Sequence, residues 1–224
     1  ITVDNGIQGH HEISTIQELG VDVIVTDHHE IGETLPDAFA IVHPMHPNFE
    51  YPFKYLCGAG VAYKLAQGLI KHPPQHFIAL AAIGTIADLV SLTDENRYIV
   101  KQGLKILNSH TPSSIKAILN QAGFNDEITE ETIGFIIGPR LNAVGRLEDA
   151  SLAAELLLSD EFEEAEFLAE QVEHFNQERK DIVSKIIDEA LILAEEQIKQ
   201  GHLFLLLAKE GWHEGVLGLS LIHI

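Results

Sequence analysis

The sequence predicts an α/β protein, in which a parallel sheet flanked by helices precedes a long connector helix and the start of a second α/β domain. The apolar, β-branched run at residues 21–26 has the composition of a strand buried on both faces, and residues 1–4 are a second apolar run that predicts a strand. Between them, residues 10–19 form a helical pattern that ends at Gly20. A strand, helix and strand in this order form a βαβ unit, in which the two strands are parallel and the crossover is right-handed.

Residues 160–200 predict the connector helix, because this stretch is rich in Glu, Ala, Leu, Ile and Lys and lacks Gly and Pro. An unbroken helix of this length would measure about 60 Å. Its apolar residues form a stripe: Phe167, Val172, Ile182, Ile186, Leu191 and Ile198. Residues 202–208 predict the strand that opens the second domain.

These patterns divide the chain into three parts. We expect an α/β domain at residues 1–150, a helical region with the connector at 151–200, and a truncated second domain at 201–224. We also expect the α/β domain to lack its N-terminal part, because residue 1 already lies within a predicted strand. Residues 219–224 are candidates for a non-native end.

The remaining patterns predict one further strand and several helices. Residues 38–42 predict the strand, and prolines mark residues 44–55 as a loop. The helices are predicted at residues 60–71, 75–87, 94–108, 112–121 and 129–137. Gly58 and Gly60 favour either close helix packing or a backbone turn near a phosphate. The pair Gly138 and Pro139 is expected to break the last helix.

Composition limits the class of protein. Of the 224 residues, 46% are hydrophobic, enough for a sizeable core. The sequence contains neither a run of eighteen apolar residues nor a secretory signal pattern, so we expect no membrane association. Cys57 is the single cysteine, which excludes an internal disulfide and fits a reducing cytoplasm. We expect Cys57 to be a buried packing residue rather than a nucleophile.

The net charge of −20 at first argues against nucleic-acid binding, which normally requires a basic surface. However, residues 151–200 hold fourteen acidic and four basic residues, a net charge of −10. Half of the excess negative charge therefore lies on the helical region at residues 151–200. A metal site also requires acids, and bound divalent ions reverse the local charge. The charge lowers the expectation of tight DNA binding without removing it.

Acids and histidines follow the apolar segments. Asp27, His28 and His29 come directly after the second strand, Asp4 ends the first, and Asp88 ends an apolar helix. Ligands of parallel sheets gather beyond the carboxyl ends of the strands, and this mixture of side chains suits a divalent metal. The alternative to a metal site is that residues 27–29 form a solvated loop and that Asp88 is an exposed acid at the end of its helix.

A second polar cluster lies within residues 138–146, where Arg140, Asn142 and Arg146 stand among Gly and Ala. The planar guanidinium group of arginine suits pairs of phosphate oxygens. These three residues are therefore candidates for holding a nucleotide backbone. The alternative is that the arginines form structural ion pairs with acids such as Glu148 and Asp149.

Five motifs occur in the order found in the DHH phosphoesterase superfamily, and most resemble its RecJ-type single-strand-specific 5′→3′ exonucleases. The motifs are Thr2-Val-Asp-Asn-Gly6, Thr26-Asp-His-His29, Gly58-Ala-Gly60, Gly84-Thr-Ile-Ala-Asp88 and Gly138-Pro-Arg-Leu-Asn-Ala-Val-Gly-Arg146. The resemblance implies metal-dependent phosphodiester hydrolysis on single-stranded DNA, in DNA repair and recombination. A helicase or a single-strand-binding protein is an implied partner.

The resemblance also implies a role for each residue. Asp4, His28 and Asp88 would bind Mn²⁺, or otherwise Mg²⁺. His29 would contact the phosphate or act as a general acid, and Asp27 would orient an imidazole. His10 and His11 form a second pair, which we interpret as surface residues.

One departure from the family bears on activity. Relatives carry an earlier Asp-x-Asp motif, which residues 1–224 do not supply at the expected place. We therefore expect this chain alone to hydrolyse DNA negligibly. The alternatives are an oligonucleotide or cyclic-dinucleotide phosphodiesterase, a manganese pyrophosphatase, and a non-catalytic nucleotide-binding module.

Overall fold

A computed structural model describes residues 1–220, which form two compact units. The first unit comprises Ile1–Pro112 and Asp126–Gly138. The second comprises Ser113–Asn125 and the chain from Pro139 onward. The units are interleaved along the sequence because one helix, at the start of the second unit, is separated from the rest of that unit by residues 126–138. The predicted domain boundaries stay a prediction.

The first unit contains the parallel sheet. Strands β1 (Ile24–Thr26) and β2 (Ala40–Val42) pair in parallel, with Ile24 opposite Ala40 and Thr26 opposite Val42. Residues 2–4 run along the other edge of β1: the amides of Thr2 and Asp4 donate to the carbonyls of Ile24 and Thr26, both at 2.9 Å. The predicted parallel arrangement is confirmed.

The regular strands are shorter than the apolar runs. Val25 is fully buried, but Val21 is 54% exposed, so the expectation that residues 21–26 are buried on both faces is wrong at its start. Helix α1 (His10–Glu18) connects residues 2–4 to β1, as the helical pattern predicts.

Helices make up the rest of the first unit. They are α2 (Gly58–Leu69), α3 (Gln75–Ala87), α4 (Asp94–Ser109), α6 (Glu130–Thr132) and a π-helix (Ile133–Ile137). Helix α3 packs against α2, α4 and the π-helix. The packing is close because glycine faces alanine: Gly84 lies on Ala59, and Gly103 lies on Ala82.

The expected helix break at Pro139 is wrong. The π-helix continues directly into α7 (Gly138–Leu147), the helix that carries the second polar cluster. The amide of Gly138 donates to the carbonyl of Ile133, a wider turn than in an α-helix. This change of hydrogen-bonding register lets the chain accommodate a proline that has no amide hydrogen.

The second unit is built on α9 (Phe162–Lys199), which has 38 residues and measures about 57 Å. The prediction of one long helix is therefore confirmed, and its role as a connector between domains stays a prediction. Helices α5 (Ser113–Gln121), α8 (Ser151–Leu158) and α10 (Glu214–Ser220) pack against it. Within the described chain, no helix is long and apolar enough to cross a membrane.

The predicted apolar stripe of α9 is only partly right. Val172 and Ile186 are buried, whereas Phe167, Leu191 and Ile198 are exposed. Alanines form much of the contact face instead, because their small side chains let the neighbouring helices approach. The buried apolar residues of α9 are Ala165, Leu168, Ala169, Val172, Ile186, Ala190 and Ala194.

Residues 202–208 form an irregular segment, with a bend at Leu203 and Phe204, rather than the predicted strand. Leu203, Phe204 and Leu206 are largely exposed, and no other strand of the described residues pairs with them. The side-chain amide of Gln197 instead donates to the carbonyl of Leu206 at 2.8 Å and accepts from its amide at 3.1 Å. Residues 221–224, most of the expected non-native end, lie outside the described residues.

Candidate metal centre

Asp27, directly after β1, is buried beneath the predicted site, with 1% of its surface exposed. One carboxylate oxygen accepts from the amide of Ile7 at 3.0 Å, and the other from the amides of His28 and His29 at 2.7 and 3.2 Å. Although burial opposes ionisation, these hydrogen bonds and one with the ring of His29 hold the pKa of Asp27 below its ordinary value. Asp27 is therefore a charged internal anchor.

His29 lies above this anchor. Its Nδ1 is 2.7 Å from Oδ1 of Asp27, and 58% of its side chain is exposed. The hydrogen bond to Asp27 raises the pKa of His29, which favours the protonated imidazole. Because Nδ1 is engaged, Nε2 is the nitrogen available to a ligand. This is the arrangement expected of an acid that orients an imidazole.

His28 brings two further acids together. Its Nε2 lies 3.0 Å from Oδ1 of Asp4 and 3.7 Å from Oδ2 of Asp88. Asp88 ends helix α3, and Asp4 has the left-handed backbone angle φ of 62°. Burial raises the pKa of Asp88, and the charge of Asp4 raises it further, against the opposing effect of His28. The structure thus gathers all three predicted metal ligands at one place.

The donor set fits a divalent cation. Ligand atoms of Asp4, His28 and His29 lie within 4.8 Å of one another, and the carboxylate of Asp88 also approaches His28. Carboxylate oxygens with imidazole nitrogen suit Mn²⁺, and the oxygens suit Mg²⁺. A cation between Asp4 and Asp88 would offset the repulsion that raises the pKa of Asp88.

The start of helix α2 fixes the position of Asp4. A Cβ atom built at Gly58 would overlap the carboxylate of Asp4 and lie 2.6 Å from its Cβ. Gly58 is therefore required for close approach of this acid. Next to it, the Cys57 sulfur accepts from the amide of Gly60 and contacts the hydroxyl of Thr85, both at 3.4 Å. Burial raises the pKa of Cys57, consistent with the predicted packing role.

His43 supports the site in a way that the sequence analysis missed. It is buried, its Nε2 donates to the carbonyl of His29 at 2.9 Å, and its Nδ1 accepts from the amide of Met45 at 3.1 Å. Burial lowers its pKa, which favours the neutral ring required by this pattern. The sequence did contain a signal for this role, because His43 directly follows β2, the strand next to β1 in the sheet.

His10 and His11 are exposed in the first turn of α1 and are not in the metal-ligand group found within residues 1–220. Their interpretation as surface residues agrees with this position.

The second polar cluster lies in the second unit. Arg140 is 9% exposed and forms an ion pair through Nε with Glu173 on α9, which agrees with the alternative of a structural ion pair for this residue. Arg146 is exposed and donates from Nη1 to the carbonyl of Gly215 at 3.0 Å. Asn142 is exposed on α7. The phosphate role of these residues stays a prediction.

The model of the "DHH family, N-terminal domain" matches residues 1–90. Among curated proteins, the single-stranded-DNA-specific exonuclease RecJ of Bacillus subtilis is 49% identical to this chain. The match covers 98% of this chain and 28% of the relative's own length. The RecJ exonuclease of Thermus thermophilus is 36% identical over 98% of this chain and 32% of its own length. The chain therefore spans about a third of these relatives.

Two solved structures are similar to the chain over 99% of its length, each at 32% identity. One is RecJ from Thermus thermophilus in complex with Mn²⁺, with a TM-score of 0.84 and 34% of that chain covered. The other is an exonuclease RecJ bound to manganese, with a TM-score of 0.82 and 56% covered. The predicted parallel sheet with flanking helices is thus confirmed by comparison as well as by the structure.

Proposed function

We propose that this chain, whose residues 1–90 match the DHH family model, serves metal-dependent hydrolysis of phosphodiester bonds in single-stranded DNA. The reaction would be that of a 5′→3′ exonuclease in DNA repair and recombination. One observation carries the proposal: Asp4, His28 and Asp88 converge beside a His29 that a buried Asp27 orients.

The residues of this site would have separate roles in the reaction. Asp4, His28 and Asp88 would hold the metal. When bound, that ion supplies a Lewis acid for the phosphate and lowers the pKa of an attacking water. The Asp27 hydrogen bond fixes the His29 ring and retains the proton on Nδ1, so Nε2 can contact a phosphate oxygen or deliver a proton.

We propose Mn²⁺ as the preferred metal and Mg²⁺ as the alternative. The imidazole of His28 favours a transition metal over Mg²⁺, which prefers oxygen ligands and its own water shell. Similar structures of RecJ are described in complex with Mn²⁺ and with Mg²⁺, which is consistent with both metals as candidates.

Arg140, Asn142 and Arg146 on α7 are the proposed contacts to the DNA backbone. Guanidinium groups bind phosphate through parallel hydrogen bonds, and such contacts carry no base information. A cytoplasmic setting fits the single buried, reduced Cys57. A helicase or single-strand-binding protein as partner rests on the family resemblance.

Metal binding tests the proposal most directly. Isothermal titration calorimetry with Mn²⁺ should show binding to this chain, and His28→Ala should abolish most of it. His72→Ala, which removes an exposed histidine, is the matched control and should bind normally. Equal binding by wild type and His28→Ala would refute the site.

Substrate class is tested by binding in the presence of Mn²⁺. Fluorescence anisotropy should show that a labelled single strand binds more tightly than the same sequence as a duplex. A cyclic dinucleotide or pyrophosphate that displaces the single strand at low concentration would instead favour one of the alternative activities.

A further inference from the structure

Three of the four arginines in this acidic chain lie on two helices of the second unit. Arg140 and Arg146 are on α7, and Arg179 is on α9, whereas Arg97 lies in the first unit. The charges of Arg146 and Arg140 both act on Arg179. Such a concentration of guanidinium groups in a chain of net charge −20 requires a physical explanation.

A hydrogen-bonded network connects Arg140 to Arg179. Arg140 Nε pairs with Glu173, and Asn176 Nδ2 lies 3.4 and 3.5 Å from the two carboxylate oxygens of Glu173. Arg179 donates from one terminal nitrogen to Oδ1 of Asn176 at 3.1 Å. Asn176 is fully buried in the middle of α9, so it holds both neighbours in fixed positions.

The network leaves an excess of positive charge. Glu173 is paired with Arg140, and within the described part of the chain neither Arg146 nor Arg179 forms an ion pair with a carboxylate. Burial, together with the charges of the other two arginines, lowers the pKa of Arg179. Arg146 and Arg179 therefore contribute two positive charges that no carboxylate of the described residues pairs with.

Arg179 also has an unused donor. Its Nε is buried and has no hydrogen-bond partner among the described residues. A buried donor without a partner is costly, and in native proteins it usually indicates a bound water or ion that satisfies it. A network that served only to join α7 to α9 would satisfy its own donors and balance its own charge.

We propose that Arg179 is a third phosphate-binding residue, which with Arg140 and Arg146 binds one phosphate group of single-stranded DNA. An anion there would balance the local charge and accept hydrogen bonds from the guanidinium groups. Asn176 acts as a positioning residue, because it links Arg179 to the Arg140–Glu173 pair. The identity of the anion as a DNA phosphate rests on the proposed function; the anion site itself does not.

Inorganic phosphate is the first probe. Thermal melting of this chain in phosphate, compared with chloride at equal ionic strength, should show a higher melting temperature. Arg179→Ala should lose this increase, whereas Arg97→Ala, which removes the same charge elsewhere, should retain it. An absent increase in wild type, or an unchanged one in Arg179→Ala, overturns the proposal.

Single-stranded DNA is the second probe. Arg179→Ala should raise the dissociation constant of a short oligothymidylate about tenfold and reduce the salt dependence by about one counterion. Arg97→Ala should change neither. Comparison of 5′-phosphorylated and 5′-hydroxyl strands distinguishes a terminal phosphate from an internucleotide phosphate.

Two further outcomes complete the test. If Arg179→Ala does not fold, Arg179→Lys replaces it; this variant keeps the charge but loses the planar fork, and should bind both probes more weakly than wild type. Wild-type binding by Arg179→Lys would overturn the proposal. If phosphate raises the melting temperature but single strands do not bind, the anion site stands and the proposed function fails.

Discussion

Replacement of Gly58 by alanine should weaken metal binding. The added methyl group would overlap the carboxylate of Asp4, and it would lie only 2.6 Å from the Asp4 Cβ. Rotation of the Asp4 side chain cannot relieve a clash with its own Cβ, so the backbone of Asp4 must move. That movement would break the 3.0 Å approach of Asp4 to His28.

The expected loss follows from the displaced ligand. Disturbance of groups that orient metal ligands commonly costs about 10- to 100-fold in affinity, and we expect Gly58→Ala to fall in this range for Mn²⁺. Overpacking of a filled position costs about 1–3 kcal/mol, so the free energy of unfolding of the metal-free chain should also fall by about this amount.

Gly68 offers a matched control within the same helix. A Cβ atom there meets nothing within 4 Å, so Gly68→Ala should stabilise α2 and leave Mn²⁺ affinity unchanged. Calorimetric titration with Mn²⁺ and chemical denaturation of both variants separate the two effects. Wild-type Mn²⁺ affinity in Gly58→Ala would show that the position of Asp4 does not govern the site.

Three further predictions concern single side chains. Asp27→Asn should lower the free energy of unfolding by about 1–3 kcal/mol at neutral pH. Because the folded pKa of Asp27 is lowered, this difference should be complete above the ordinary carboxyl pKa of about 4 and shrink as pH falls through the folded value; a difference independent of pH would contradict the assignment. His43→Ala should cost about 1–3 kcal/mol in chemical denaturation, since the His29 carbonyl loses its partner, and an unchanged midpoint would argue against that role. Arg140→Ala should weaken oligonucleotide binding equally for all sequences in anisotropy titrations, whereas a loss restricted to particular bases would exclude a phosphate contact.

The sequence predicted the residues of the site better than it predicted the contacts that hold them. Acids at the ends of parallel strands and of an apolar helix are visible as a pattern, and the fold brings Asp4, His28 and Asp88 together. The support from His43 depends on a hydrogen bond between residues fourteen apart. Sequence periodicity carries no information on such a bond.

Two predictions from the sequence, the strand at residues 202–208 and the helix break at Pro139, were wrong for the same kind of reason. The apolar composition of residues 202–208 favours a strand, but a strand also requires a neighbour to pair its backbone, and the described residues provide only the side chain of Gln197. Pro139 normally ends a helix, but the π-helix before it alters the hydrogen-bonding register. In both cases the result depended on backbone partners rather than on residue type.

The pairing of Gln197 with Leu206 also bears on aggregation. An apolar segment with exposed leucines and unpaired backbone groups can act as a template on which another chain adds a strand. The Gln197 amide occupies both backbone groups of Leu206 as a neighbouring peptide group would. An incoming chain must displace this side chain before it can pair at Leu206, so Gln197 opposes intermolecular β-pairing at this position.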